Sequence, residues 1–479
     1  MHTFAFLRGI PACGAFVAPG RAAARLALAV CALWTLLTAS PASAVTMIDI
    51  HSPGQNIVNL AMAAPLTGPS QVAAGLGAEL HKAIETDLSF LPFMRLTVPG
   101  AVLEKLVDNT DFARGVYDPF GGSGTTLAAW QGPELDFKRF QIAGADLLIT
   151  AYWPKGDRNN STVELRVFET FSGKFVFGNA YAGVTKDEVS NVADRFAADL
   201  METLTGSGDF FRSTLAFART DGPKKRDIWL VKPTGKDLRQ ITNIPGTAMS
   251  PAWSPDGRYV VFSHLDDSSH ALGVWDRLAN QVKLIRFPGN TVIGPSFMPD
   301  NKVAVSLSTG NYPDIFLLNH KFERERPLEA SGAINVSPSF DATGTKMVFT
   351  SSRLGGPQIF LKDLTTGAVR RISMNGGYNT EPSISPDGTL VAFTRLTDQG
   401  HRIFVQDLMT GQERQVSFGP GRDEHPSFAP DSYFLAFTSD RSGQKQIYLT
   451  TRHGGDPKKV PTGAGDATFP RWGKIPAQQ

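Results

Sequence analysis

Cysteine is nearly absent from this sequence of 479 residues. Only Cys13 and Cys31 occur, and both precede residue 45. Long apolar runs are also scarce, and the run at residues 26–37 is too short to cross a bilayer comfortably. The sequence therefore predicts that the chain beyond residue 44 has no disulfide and no transmembrane span, so it needs no thiol chemistry in an oxidising compartment.

The apolar run at residues 26–37 has the surroundings of an export signal. Arg21 and Arg25 precede it, and the small residues Ala42-Ser43-Ala44 follow it. This order is typical of a secretory signal peptide, and it predicts cleavage between Ala44 and Val45. Lipid attachment at Cys31 is the alternative, but Val30 stands where a small residue is expected.

Neither sign of charge is in excess. Loss of Arg8, Arg21 and Arg25 with the signal peptide would change the formal net charge of +2 to −1. A near-neutral mature chain lacks the basic surface that nucleic acids require. The composition therefore predicts no nucleic-acid partner.

Motifs of catalytic, cofactor and metal sites are missing as well. No Gly-x-Ser-x-Gly elbow occurs, no Gly-Lys pair continues with Ser or Thr, and no two histidines have zinc-site spacing. Four aspartates recur, but each belongs to a tight turn, where capping the turn is their expected role; they are Asp256, Asp300, Asp387 and Asp431. The sequence predicts a non-enzymatic protein without cofactor or metal.

What the sequence does contain is an internal repeat of 43 or 44 residues. Its clearest copy is Pro-Ala-Trp-Ser-Pro-Asp-Gly at residues 251–257. Related motifs begin at Pro295, Pro338, Pro382, Pro426 and Pro470. A period of this length fits four short antiparallel strands with their turns, which is one blade of a β-propeller. In this interpretation the motif proline opens the innermost strand of each blade.

The repeat count predicts a six-bladed β-propeller closed by its C-terminal strand. Six second strands can be found, the first of them at residues 215–218, ahead of any motif. Six innermost strands can also be found, but the last is the C-terminal stretch 469–472. The first blade should therefore receive its innermost strand from the C-terminus, leaving no open sheet edge. An open β-solenoid is the alternative.

The sequence ahead of the repeat predicts a mixed α/β domain. Apolar residues spaced by four predict a helix over residues 72–88, and a second apolar face predicts one over 186–204. Residues 205–209 read as a hinge. The predicted domains are a signal peptide at 1–44, an α/β domain at 45–208 with an extended N-terminal segment and a Gly-rich insertion near 108–133, and a propeller at 209–479.

Loops that precede the innermost strands are the candidate site. In a propeller such loops converge around the central channel on one face, and loops on a rigid scaffold often carry function. Here they could form a funnel for a partner's loop or peptide, or merely satisfy their own backbone groups. The candidate funnel residues are Asn290, Thr291, Asn335, Val336, Asn379, Thr380, Glu381, Asp423, Glu424, His425 and Thr468.

The whole pattern resembles the TolB family, the periplasmic component of the Tol-Pal system. The resemblance rests on the signal peptide, the order of domains, the Leu204–Phe217 junction and the motifs Asn379–Pro382 and Thr468–Trp472. It implies a periplasmic monomer that binds the Pal lipoprotein at the funnel and helps maintain and constrict the outer membrane. Other outer-membrane or peptidoglycan-associated proteins are possible further partners.

The resemblance also implies that the N-terminal segment of the mature chain binds the C-terminal domain of TolA. This segment comprises Val45, Thr46, Met47, Ile48, Asp49, Ile50 and His51. Its alternating side chains suit addition to the edge of a partner's sheet. The alternative function is a periplasmic propeller that binds, or even hydrolyses, peptides or glycans.

Overall fold

The computed structural model describes residues 57–66, 71–97, 135, 137–153, 162–222, 225–267, 269–289, 291–308 and 310–474. The predicted signal peptide with its predicted cleavage site at Ala44, the segment 45–51, the Gly-rich stretch near 108–133 and Asn290 lie outside these residues. All described residues belong to one compact unit. None of the helices within them is both long and apolar enough to span a bilayer.

The part of the chain ahead of the repeat contains a five-stranded sheet with the order β2-β1-β3-β4-β5. The central β1 runs parallel to β2 and β3, whereas β3, β4 and β5 are antiparallel neighbours. Every residue of β3 is buried, as expected for a strand with covered faces. The strands are β1 Val58–Met62, β2 Met94–Leu96, β3 Leu147–Tyr152, β4 Val163–Glu169 and β5 Phe175–Tyr181.

The described helices are α1 Gln71–Leu88, α2 Phe137–Ile142, α3 Val189–Thr205 and α4 Asp209–Arg212, with a 3₁₀ turn at Lys186–Glu188 ahead of α3. The predicted periodicity of α1 and α3 is confirmed, because Ile84 and Leu88 of α1 and Phe196 of α3 are fully buried. Gly206 ends α3 in the left-handed conformation, where glycine is favoured.

The predicted hinge at residues 205–209 connects α3 to α4, and buried side chains follow it directly. Helix α4 begins at Asp209, and its aromatic residues Phe210 and Phe211 are buried. The ring of Phe210 lies 4.3 Å from that of Phe434 and 5.9 Å from that of Trp472. These rings join the core of the five-stranded sheet to that of the repeat, so the connection is anchored rather than free.

The repeat region forms four separate four-stranded antiparallel sheets and one eight-stranded sheet. The four-stranded sheets are β13–β16, β17–β20, β21–β24 and β25–β28. Their strands are β13 Val292–Phe297, β14 Val303–Ser308, β15 Pro313–Leu318, β16 Arg324–Glu329, β17 Asn335–Phe340, β18 Lys346–Leu354, β19 Gly356–Asp363, β20 Val369–Arg371, β21 Asn379–Ile384, β22 Leu390–Thr397, β23 Gly400–Asp407, β24 Glu413–Gln415, β25 Asp423–Phe428, β26 Phe434–Ser439, β27 Gln446–Thr451 and β28 Lys458–Lys459.

The prediction of six separate blades therefore needs correction. The eight-stranded sheet joins the group β29-β6-β7-β8 to the group β9-β10-β11-β12. One parallel bridge, between Arg226 of β7 and Thr247 of β9, makes this connection. Its strands are β6 Ser213–Gly222, β7 Lys225–Val231, β8 Arg239–Gln240, β9 Thr247–Trp253, β10 Tyr259–Leu265, β11 His270–Asp276, β12 Gln281–Ile285 and β29 Ala467–Lys474.

Strand β29, the last of the described strands, pairs with β6 in an antiparallel register from Ala467↔Arg219 to Lys474↔Ser213. It also touches its other neighbour, since the backbone N–H of Trp472 donates to Ser427 Oγ of β25 at 3.3 Å. The serine after the motif proline makes the same bond elsewhere: Ser339 accepts from Ile384, and Ser383 from Phe428. These hydroxyls tie neighbouring sheets together.

The five-stranded sheet and its helices pack on one end of the repeat region. Lys236, in the turn between β7 and β8, lies 2.7 Å from both Asp87 of α1 and Asp194 of α3. Tyr433, in the turn between β25 and β26, makes an edge contact with Phe93 at 6.0 Å. We call this the far end. The opposite end is called the mouth end. It is the end at which β9, β13, β17, β21, β25 and β29 begin.

Candidate functional site

The first strands β9, β13, β17, β21, β25 and β29 share a backbone irregularity near the mouth end. The residue before each motif proline has a φ of 51–57°; these residues are Ser250, Gly294, Ser337, Glu381, His425 and Phe469. The pairing register with the next strand shifts at each of these points, which marks a β-bulge. The proline thus lies inside the strand rather than opening it, at a point where the interrupted ladder needs no N–H.

The six bulges surround a common cavity. Residues of all six first strands line a space of about 60 Å³, among them Ser250, Gly294, Ser337, Glu381 and His425. We call it the channel cavity. Bulges re-aim side chains next to functional sites, and here they direct residues of six strands toward one axis.

A second cavity, of about 390 Å³, opens toward the mouth end, and we call it the mouth cavity. It shares Glu381, His425 and Phe469 with the channel cavity. Five predicted funnel residues line it, namely Thr380, Glu381, Glu424, His425 and Thr468. The structure therefore brings together about half of the predicted funnel.

Glu381 is held by its neighbours on β22 and β25. Its Oε1 lies 3.0 Å from His425 Nε2, and its Oε2 accepts from the His425 backbone N–H and from Thr394 Oγ1 at 3.0 and 3.1 Å. Burial opposes ionisation, but the charge and hydrogen bonds of His425 lower the pKa of Glu381 to about 2. The side chain is therefore a fixed carboxylate at neutral pH.

Glu424 makes a similar set of contacts on the other side of the mouth cavity. Its Oε1 lies 2.6 Å from His401 Nδ1, and Lys445 Nζ donates to its Oε2 at 3.1 Å. Burial works against the charged form, yet the hydrogen bond from His401 and the charges of His425 and Lys445 lower the pKa of Glu424. The cavity is thus lined by carboxylates with cationic or imidazole neighbours.

Three predicted funnel residues do not line the funnel. Asn335, Asn379 and Asp423, the first residues of their strands, are fully buried. Arg395 Nε donates to Asn379 Oδ1 at 2.7 Å, and Arg441 Nη2 lies 2.9 Å from Asp423 Oδ1. The two asparagines also contact the preceding sheet, since Asn335 Nδ2 donates to Asp314 Oδ1 at 3.0 Å and Asn379 Nδ2 donates to Gln358 Oε1 at 2.8 Å. Buried polar groups are usually hydrogen-bonded in this way.

Two further predicted residues, Thr291 and Val336, are half-buried at the mouth end and line neither cavity. Sequence reasoning missed other residues that do line the mouth cavity, including Arg226, Tyr378, His401, Lys445 and Asp466. Tyr378 and His401 stack with ring centroids 6.2 Å apart. His401 could have been predicted, because the turn between β22 and β23 places it at the mouth end.

Apolar side chains are concentrated at the mouth end. Nine exposed large apolar residues lie there: Leu265, Ile293, Tyr312, Ile334, Leu354, Met374, Tyr378, Leu396 and Phe418. At the far end of the repeat region, Leu278 and Met409 belong to the same group, and the α/β part of the chain adds Ile57, Ile142 and Phe171. Such exposed apolar surface around polar groups is typical of a protein-binding site.

The described residues include no cluster of three or more His, Cys, Asp or Glu side chains placed to hold a metal ion. The carboxylates of the mouth cavity are engaged by histidine and lysine neighbours. The arrangement can recognise a partner through fixed charges and apolar contacts.

Antiparallel sheets whose first strands line one channel define a β-propeller protein. Residues 201–476 match the family model described as the TolB beta propeller domain. The chain belongs to the TolB family of Tol-Pal system proteins.

Individual relatives agree with this assignment. The chain is 63% identical over 334 residues, 70% of either protein, to the Tol-Pal system protein TolB of Nitratidesulfovibrio vulgaris. It is 30% identical over 338 residues, 71% of this chain and 72% of the relative, to the protein TolB homolog of Chlorobium luteolum. The crystal structure of TolB from Acinetobacter baumannii matches 87% of this chain and 97% of its own with a TM-score of 0.70; at 18% identity this likeness concerns the fold alone.

Proposed function

We propose that this chain is a non-enzymatic, periplasmic interaction component of the Tol-Pal system. Its propeller binds the Pal lipoprotein at the mouth end, its N-terminal segment binds the C-terminal domain of TolA, and the complex supports outer-membrane integrity and constriction at division. The observation that carries the proposal is the set of exposed apolar residues at the mouth end, one of which, Tyr378, lines the mouth cavity. The family supplies the identity of the partners.

The mouth end suits a protein partner because, among the described residues, the five-stranded sheet and its helices cover the far end instead. The contacts of α1, α3 and Phe93 with the repeat lie at the far end. Leu354, Met374 and Phe418 are each more than half exposed at the mouth end. Docking a partner there would remove this apolar surface from water. Such burial is favourable by roughly 25 cal/mol per Å² of apolar surface.

We further propose that the eight-stranded sheet serves as two blades, so that the propeller has six. The single bridge between Arg226 and Thr247 is the link between its two four-stranded groups. In this proposal β29 closes the ring by completing the blade of β6, β7 and β8. The domain limits are then 1–44 for the signal peptide, 45–208 for the α/β domain and 209–479 for the propeller.

The Pal-binding proposal is tested by adding charge to the apolar mouth. Tyr378 and Leu396 are exposed neighbours there, joined by a hydrogen bond from Leu396 N–H to the Tyr378 carbonyl. The variant Tyr378→Glu with Leu396→Glu should weaken Pal binding at least about tenfold, because two apolar contacts become desolvated charges. Isothermal titration calorimetry with purified Pal measures the effect.

The matched control changes exposed apolar residues at the far end. Leu278→Glu with Met409→Glu replaces two exposed apolar side chains by the same two negative charges. This variant should bind Pal like the wild type. Equal loss in both variants, or loss in neither, would remove the mouth end as the binding site. Titration with peptides or glycans would then test the alternative partner class.

The TolA proposal rests on the N-terminal segment, which lies outside the described residues. Deletion of residues 45–55 should abolish binding of the TolA C-terminal domain and leave Pal binding intact. A terminal segment contributes little to a core, yet its backbone can pair with a sheet edge. Pull-down with both partners compares the two activities in one protein, and retained TolA binding would reject the segment as the site.

A further inference from the structure

One residue of the first strands departs from the repeat. The position after the motif proline holds a small residue in five strands: Ala252, Ser296, Ser339, Ser383 and Ser427. In β29 the same position holds Arg471. A long cation therefore stands where the other copies have room for a methyl or hydroxyl group.

Arg471 cannot do what the serines do. Ser339, Ser383 and Ser427 each accept a backbone N–H from the next sheet through their hydroxyl oxygen. An arginine side chain has five N–H donors and no acceptor. In β29 this position therefore cannot accept a backbone N–H from the next sheet, and its guanidinium is available for another purpose.

Arg471 lines the channel cavity together with Ser250, Ser337 and Glu381. Within the described part of the chain, no residue forms a hydrogen bond or ion pair with its guanidinium. Burial lowers the pKa of Arg471, opposed only by the charge of Glu381. Glu381 is itself engaged by His425 and Thr394. The channel is thus lined by a half-buried cation whose donors are unused within the described residues.

We propose that the Arg471 guanidinium binds an acidic side chain of the protein that docks at the mouth end. This inference rests on the proposed function and specifies the chemistry of its innermost contact. A carboxylate can accept two parallel N–H bonds from a guanidinium, a geometry that adds both strength and orientation. The Ser250 and Ser337 positions border the same space and offer further polar groups.

The dimensions agree with a side chain rather than a larger group. The channel cavity of about 60 Å³ is a few times the roughly 10–15 Å³ that one water-sized group needs. It meets the mouth cavity at Glu381, His425 and Phe469, so a side chain of a docked protein has a route inward. A docked acid would replace water around Arg471 with a counter-charge.

The test compares three variants at this position in the full mature protein. Arg471→Ser restores the residue that the repeat has at Ser427, so it should fold with an unchanged or higher Tm. Calorimetry should show Pal binding weakened at least about tenfold in Arg471→Ser and in Arg471→Met, since the partner's acid then enters the channel unpaired. Arg471→Lys, which keeps the charge without the planar fork, should be intermediate.

The partner's side of the contact is tested in the same assay. Surface Asp and Glu residues of Pal are changed singly to Asn and Gln. One of these changes should weaken binding to the wild-type chain and have no additional effect with Arg471→Ser, because the two residues form one pair. Titration of the free chain with sodium phosphate and sodium acetate shows whether a free anion occupies the site instead.

Each outcome decides the proposal. If the wild type and Arg471→Ser bind Pal with equal affinity, the inference is overturned and the proposed function stands. No binding of Pal by the wild type overturns both. If phosphate or acetate binding depends on Arg471 but Arg471→Ser does not change the affinity for Pal, the site binds free anions. That result overturns the proposed contact with an acidic side chain of the partner.

Discussion

Truncation of the chain after Ala467 is expected to abolish cooperative folding of the repeat region. The deletion removes Thr468–Lys474 of β29, whose pairing with β6 extends to Lys474↔Ser213. It also removes Trp472, which is 7% exposed and packs against Phe210. Loss of one large buried aromatic residue costs about 3–5 kcal/mol, and typical proteins are stable by only about 5–15 kcal/mol. Thermal unfolding followed by circular dichroism should show no transition, or one at a much lower temperature.

Two milder variants make this prediction decisive. Deletion of residues 475–479, which follow β29, should leave the Tm unchanged. Trp472→Ala keeps the strand and should produce an intermediate loss. If the chain truncated after Ala467 melts like the wild type, β29 does not hold the propeller together and the proposed closure fails.

Replacement of Lys236 should cause a comparable loss at the far end. Its Nζ lies 2.7 Å from Asp87, which is fully buried, and 2.7 Å from Asp194. Lys236→Met leaves these two carboxylates facing each other, with Lys232 retained beside Asp194. Removing one partner of a buried ion pair typically costs about 3–5 kcal/mol. Urea denaturation followed by tryptophan fluorescence measures the change.

The effect of Lys236→Met should depend on pH in a defined direction. Burial, with a contribution from Asp194, raises the pKa of Asp87 from 3.8 to about 7 in the folded chain, although Lys236 opposes this. The folded chain therefore binds this proton more tightly than the unfolded one. The resulting stability is complete below pH 3.8 and is lost as pH rises through about 7. The Lys236→Met deficit should be smaller near pH 5 than near pH 8.

A surface pair provides the comparison. Lys302→Met removes an ion pair with Glu325, whose side chain is 37% exposed. This change should cost no more than about 1 kcal/mol at either pH. If Lys236→Met costs as little stability as Lys302→Met at both pH values, water replaces the lysine between the two domains. Asp87→Asn should abolish the pH dependence assigned to this carboxyl.

Much of the fold could be predicted because the repeat motif contains proline and glycine, which restrict or permit particular backbone conformations. The motif prolines and the Pro-Asp-Gly turns locate the first and second strands, and the turn bond from Gly257 N–H to the Ser254 carbonyl is present at 2.9 Å. The bridge between Arg226 and Thr247 has no such signal, since it depends on how closely two sheets approach. The burial of Phe210 was not predicted, because the Gly and Ser residues at 206–208 suggested only a flexible connection.

The candidate site was predicted less well because the bulges change which side chains face the channel. A regular strand alternates its side chains, so position alone could not separate the buried Asn379 from Glu381. The bulge at Glu381 places this residue and Thr380 at the mouth cavity and leaves Asn379 within the sheet. One clue existed in the sequence: the equivalent residue in another copy is Gly294, which marks a position with positive φ.

The pairing of β29 with β6 has a consequence for the order of events during synthesis. Thr468 pairs with Ala218, and 250 residues separate them. Until the end of the chain has emerged, β6 lacks this partner and the first sheet keeps an exposed edge. Contacts of such long sequence separation form slowly. A nascent chain of this design stays incompletely folded until its last strand arrives, a state in which a protein can still be threaded through a narrow export channel.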